Sequence, residues 1–167
     1  MKGNPQKEIE MAFLALPPDP ASPEGFSVEG DGWFPAIDCN KMRDALRIGE
    51  MVTNARLVEA IKGGQLTIDR ELADWRTARE DEGAADLTEV EPTRMIGGDH
   101  RLSLLYIRAV RFAAAAELAE LHRDLTATQD GQARADTEAT TAQEYHRLAT
   151  NAVRDIIGTG RVAVELI

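Results

Sequence analysis

The sequence predicts an all-α protein: a helical bundle of about four helices with two long central helices, an extended N-terminal arm and a short strand-like C-terminal tail. Three observations predict it. Every proline but Pro92 lies upstream of Asp38, so the rest of the chain is almost free of helix breakers. Beyond Trp33 the composition turns rich in Ala, Leu, Arg and Glu, which are helix formers. In that region apolar residues recur at steps of three and four, the period of a helix face. The expected boundaries are 1–31 for a flexible Pro/Gly-rich arm, 32–158 for the helical domain and 159–167 for the tail.

At 167 residues the chain reads as one domain large enough to bury a core. A hydrophobic fraction of 43% and a charged fraction of 29% suit a globular protein, and no apolar run is long enough to span a membrane. The apolar patch Met11–Leu16 follows Glu8 and Glu10 and precedes prolines, a poor fit to a signal peptide, so the expected compartment is the cytoplasm. A net charge of −10 argues against gripping nucleic acid by its phosphates, which takes Lys and Arg.

The arm ("LPPDPASPEGFSVEGDG") reads as extended or disordered, with the folded body opening near Trp33. There the stretch "DGWFPAID" sets Trp33 beside Phe34 in a segment that cannot form regular structure, although aromatics are only 5% of the chain. Two explanations stand: a plug for the chain's own core, or an anchor that meets a neighbouring subunit. A short helix opens at Asp38, whose carboxylate can cap the first turn, and ends at Gly49. The next begins at Thr53 or Asn54. Its stripe of Leu57, Ile61, Ile68, Leu72 and Trp75 keeps phase through Gly63–Gly64, predicting one helix, kinked or weakened at the glycines, that reaches Gly83.

After the irregular connection "LTEVEPTRMIGGDH", Asp99 caps the longest helix. That helix is apolar on two sides. Leu102, Leu105, Ala109, Phe112, Ala116 and Ala119 form one stripe; Ile107, Val110, Ala114, Leu118, Leu121 and Leu125 form the other. It is either the central helix of a bundle or packed inward on one side and against another subunit on the other. A last helix runs from about Ala133 to Ile157 on Ala142, Tyr145, Ala149, Ala152 and Ile156, and Gly158 and Gly160 break it. The tail "RVAVELI" then alternates like a strand with no partner in the chain. It either frays or adds to an edge on another protein.

Chemistry is hard to place. The lone Cys39 forms no internal disulfide, and a small half-buried side chain is the plain reading. His100, His122 and His146 stand apart, with no metal-ligand spacing around them; His122 and His146 sit on different helices that can meet. The glycine pairs Gly63–Gly64 and Gly97–Gly98 follow no strand and carry no GK[ST] ending, which rejects a phosphate loop. Ser103 has no base near it in sequence. No catalytic, cofactor or metal residues are expected. A small helix-turn-helix DNA-binding regulator is the alternative, with the Gly63–Gly64 turn leading into "TIDRELADW", although Asp69, Glu71 and Asp74 against Arg70 suit phosphates badly. A helical enzyme or ligand-binding bundle is a third reading, and needs an apolar pocket with converging polar groups.

The order of "DGWFPAID", "VTNARLVEAI", "ELADWR" and "LLYIRAVRFAAAAELAELHRDLTATQDGQARAD" resembles the head completion proteins of tailed bacteriophages, the head–tail connector adaptors. The likeness covers nearly all of Gly32–Gly158; the arm before Gly25 is longer and richer in proline than the family pattern. The resemblance implies a structural virion protein, not an enzyme and without cofactor. It would form a ring of about twelve copies beneath the portal protein, with the free form a monomer. That ring would extend the DNA channel, help retain the packaged genome and dock a tail terminator or stopper protein. The double-stranded DNA passes through without specific binding. The place implied is the head–tail neck of the virion, with host cytoplasm during assembly.

Within that resemblance, Arg161, Val162, Val164 and Leu166 of the tail are the expected portal contact, and Trp33 and Phe34 the arm anchor or inter-subunit contact. Glu80, Asp81 and Glu82 are the expected channel lining, since an acidic wall repels phosphates. A ring of twelve would carry roughly −120 in all.

Overall fold

The computed structural model describes residues 22–123 and 129–159. They form a mainly helical body, as expected, with five helices in place of about four and two very short antiparallel hairpins that the sequence did not announce. Strand β1 (Ser27–Val28) pairs with β2 (Ile37–Asp38), Ser27 opposite Asp38 and Val28 opposite Ile37. The chain therefore joins the body well before Trp33. Ser22 is fully buried, and Arg43 Nε donates to its hydroxyl at 2.7 Å.

Helix α1 (Cys39–Leu46) starts as predicted, with Asp38 Oδ1 accepting from the Lys41 amide at 2.9 Å. Its end differs. The left-handed residue is Arg47, φ 54°, two positions before the expected Gly49. The cause lies in Arg43, whose guanidinium also donates to the Gly49 and Val52 carbonyls at 3.2 and 2.7 Å and wraps the exit loop around itself. Cys39 is fully buried, more so than expected, and burial pushes its thiol up, followed by the charge of Asp38.

Helix α2 (Asn54–Glu71) is capped by Thr53, whose hydroxyl accepts from the Arg56 amide at 3.4 Å. It runs unbroken through Gly63–Gly64, which removes the turn that a helix-turn-helix regulator would need there. The interruption comes instead at Leu72, fully buried with φ −95° and ψ 0°, after which α3 (Ala73–Asp81) continues. Gly83, φ 101°, ends it, and the Ala84 amide reaches back to the Arg79 carbonyl at 3.1 Å, closing the last turn as glycine at this position commonly does.

A 3-10 turn at Leu87–Glu89 leads to the second hairpin, β3 (Met95–Ile96) with β4 (Asp99–His100). Gly97 and Gly98 both take positive φ, 61° and 93°, the backbone that a two-residue hairpin turn demands. This corrects two expectations. The connection is not wholly irregular, and Asp99 pairs with Ile96 and does not cap the next helix. His100 stands at that helix start: its Nδ1 accepts from the Ser103 amide at 3.4 Å, and its Nε2 lies 3.0 Å from the Val90 carbonyl. A proton on Nε2 satisfies both contacts.

Helix α4 (Arg101–Arg123) is the central helix of the bundle, with α2 on one side and α5 (Gln129–Ile157) on the other. Both of its apolar sides thus find cover inside one chain. Leu102, Ala109 and Ala116 are buried, and so are Val110, Ala114 and Leu118, while Leu121 stays exposed and Leu125 lies outside the described residues. The alanines let α5 and α2 come close. On α5 the expected Ala142, Ala149, Ala152 and Ile156 are buried, joined by Val153, and Gly158 at φ 78° closes the helix. The α2–α4 approach is tight at Gly64. A Cβ there would lie 2.9 Å from the Val110 carbonyl oxygen and 3.2 Å from the Ala114 nitrogen.

Candidate functional site

The aromatic pair of "DGWFPAID" sits in the chain's own interior, Trp33 5% and Phe34 4% exposed. Two rings of that size buried together stabilise the segment by roughly 3–5 kcal/mol. Trp33 meets Phe34 edge-on at 4.7 Å between centroids and Trp75 of α3 at 6.1 Å. Phe34 stacks on Tyr106 of α4 at 4.3 Å. The Leu87 amide donates to the Trp33 carbonyl at 3.0 Å, so the 3-10 turn holds the segment from the other side. The Trp33 indole N–H is buried without an acceptor among the described residues.

Charges frame this hub. Arg76 of α3 lies over both rings, its guanidinium carbon 5.0 Å from the Trp33 centroid and 5.7 Å from that of Phe34. It also forms ion pairs with Asp31 and with Glu80, the latter at 2.7 Å. Asp31 in turn accepts from the Trp33 amide at 3.0 Å. Burial works to raise the Asp31 carboxyl, but the bonds from Arg76 and the Trp33 amide outweigh it and leave it below the usual range. Beneath the rings, the Tyr106 hydroxyl donates to Asp69 of α2 at 2.8 Å. Burial first, then the Asp69 charge, pushes the tyrosine far up; burial also raises Asp69, more than the tyrosine bond lowers it. Of this network the aromatic pair and Trp75 were visible as anomalies or stripe members. Asp31, Asp69, Arg76 and Tyr106 were missed, because nothing in a helix period marks a polar residue that will meet a loop from elsewhere.

The three carboxylates expected to line a channel lie together at the end of α3 or just after it, all exposed. Two are compensated: Glu80 by Arg76, and Glu82 by Arg79 at 2.9 Å. Among the described residues Asp81 has no ion pair. The tail residues Arg161, Val162, Val164 and Leu166 lie outside the described residues.

Reactive side chains do not converge. Among the described residues no three of His, Cys, Asp and Glu are grouped to hold a metal ion. His146 pairs with Glu120 at 3.1 Å, and the side chain of His122 lies outside the described ones. Ser103 does meet a base, His100, at 3.2 Å, which sequence distance concealed only partly, since the two are three residues apart. The imidazole is already held by Val90 and the Ser103 amide, so the pair reads as a helix start and not as a nucleophile with its base.

Sequence comparison bears on the same residues. The profile of a family described as phage head completion protein (GPL) matches residues 28–167. The chain is also 34% identical over 165 residues to a head completion/stabilization protein of Escherichia phage P2, a match covering 98% of this chain and 96% of that protein. No solved structure matches.

Proposed function

The chain belongs to the phage head completion protein (GPL) family, and from that premise we propose that it is a structural virion protein without catalytic activity, acting as the connector adaptor at the head–tail neck. In this reading it assembles in host cytoplasm, binds the portal as a ring of about twelve copies, extends the DNA channel and helps keep packaged DNA in place. The observation that carries it is the family match, which runs from Val28 to the last residue and takes in the whole helical body and the tail.

The geometry supports this role in two ways. The hub fixes the entry segment rigidly against α2, α3 and α4, giving a stiff body able to repeat around an axis. Apolar side chains also remain outside it: Met95 and Ile96 at the hairpin tip are 52% and 58% exposed, adjacent to each other and available to a neighbouring copy. Arg161, Val162, Val164 and Leu166 are the proposed portal contact, through strand addition to an edge of the partner. A tail terminator or stopper protein then docks on the far face. Glu80, Asp81 and Glu82 face the lumen, where duplex DNA slides past without being held.

Truncation after Gly158 tests the tail assignment. Helical circular dichroism stays nearly unchanged, while attachment to portal-containing heads is lost. Truncated chains that still attach would contradict it.

A further inference from the structure

A groove of about 420 Å³ opens between α1 and the first half of α4, within the size range of peptide and ligand sites, roughly 300–1,000 Å³. Its floor is apolar, from Ile37, Met42, Leu104 and Ile107. Lys41 and Arg111 supply its cations. Arg111 is under-compensated: its Nε is buried without an acceptor, and it has no ion pair among the described residues. Burial, and then the neighbouring Arg108, work against its charge. The groove's lining also holds two carboxylates, Asp38, which caps α1, and Asp99, but neither forms an ion pair with Arg111. Such a site calls for an apolar ligand that brings an anion.

We infer that the groove receives residues 8–16 of the chain's own N-terminal arm, "EIEMAFLAL", with a carboxylate of Glu8 or Glu10 meeting Arg111 and Lys41. Charge and apolar character match: this stretch holds Ile9, Met11, Phe13, Leu14 and Leu16 beside the two glutamates. The connection also reaches. The described chain begins on α1, where Arg43 Nε holds Ser22 Oγ at 2.7 Å and Asn40 Nδ2 donates to the Pro23 carbonyl at 2.7 Å. Lys41 and Met42 lie round the other side of the same helix. From Leu16 to Ser22 the spacer "PPDPA" spans up to about 19 Å when extended, matching the roughly 16–19 Å path half-way round a helix about 10–12 Å wide. The arm lies outside the stretch matched by the family profile but inside the match to the phage P2 protein, which takes in 98% of this chain, and the role argued here is separate from the portal contact.

Zero-length carbodiimide coupling of the full-length chain tests this, because it joins a lysine amine only to a carboxylate in contact with it. Isotopically light and heavy chains are mixed in dilute solution, and linked peptides are read by mass spectrometry. A bond from Lys41 to Glu8 or Glu10 is expected within single chains. Its yield falls at least about fivefold in the arm variant Phe13→Ser/Leu14→Ser, which alters no packed residue of the described body and removes the apolar anchor. Absence of that bond, an equal yield in the variant, or linked peptides of which about half join a light to a heavy chain would each overturn the assignment, the last by placing the arm on a second copy. Loss of attachment to heads does not enter this readout, so failure here leaves the adaptor role untouched.

Discussion

Phe34 lies flat on Tyr106, ring centroids 4.3 Å apart and planes 5° from parallel, while the hydroxyl of the same tyrosine donates to Asp69 at 2.8 Å. One residue of the central helix α4 thus ties an irregular loop to α2. Trp33 and Arg76 complete the tie to α3. The segment "DGWFPAID" is where the entry chain is locked to the bundle.

Phe34→Ala empties a fully enclosed site and should cost about 3–5 kcal/mol, read as a lower midpoint in urea unfolding with little change in slope. Trp33→Ala should cost a similar amount. A folded monomer within about 1 kcal/mol of the parent that fails only in assembly would move both rings from the core to an interface.

Asp69 supplies a pH signature. Its carboxyl is raised in the folded protein, chiefly by burial, so the folded state holds the proton more tightly than the unfolded chain. Its contribution is then fully present below the unfolded value near 3.8 and is lost as pH rises through the raised folded value. Asp69→Asn keeps an oxygen for Tyr106 and removes the charge. The variant's stability relative to the parent should rise with pH across that window and level off above it. A difference independent of pH would show that Asp69 carries no such burden.

The two adjacent glycines of α2 should behave oppositely. A Cβ at Gly64 meets the backbone of α4, with Val110 oxygen at 2.9 Å, which cannot yield without parting the helices. Gly64→Ala should cost about 1–3 kcal/mol despite the better helix former. The nearest atoms to a Cβ at Gly63 are those of the Glu117 carboxylate, which can swing away. Gly63→Ala should therefore be neutral or stabilising by up to about 1 kcal/mol. Thermal unfolding of the two variants decides this, and an equal loss in both would contradict the close-approach explanation.

At the end of α3, Asp81→Lys reverses a charge without breaking the Glu80–Arg76 or Glu82–Arg79 pairs. In an assembled ring the parent should leave duplex DNA unshifted in a gel at moderate salt, and the variant should retard it in a salt-dependent way. Identical migration would remove these carboxylates from the lumen.

The sequence made the locally determined parts legible. Asp38, Thr53, Gly83 and Gly158 mark helix ends by chemistry confined to one turn, and the apolar stripes of α2, α4 and α5 follow from a period. What escaped depends on residues far apart. The Tyr106–Asp69 bond joins positions 37 residues apart, and the Arg43 clasp that ends α1 early draws on Ser22 and Val52. Gly63–Gly64 looked like a weak point because propensity alone prices glycine in a helix, whereas the reason for Gly64 is the backbone of α4. Trp33 and Phe34 stood out as misplaced bulk, but only the fold says which rings they meet.

A cryo-electron-microscopy reconstruction of the head–tail neck in particles assembled with this chain tests the adaptor role most directly. The predicted result is a closed ring of its helical bodies beneath the portal, tails reaching the portal and α3 ends turned to the lumen. Particles that hold their DNA and join tails with no density for the chain at the neck would contradict it.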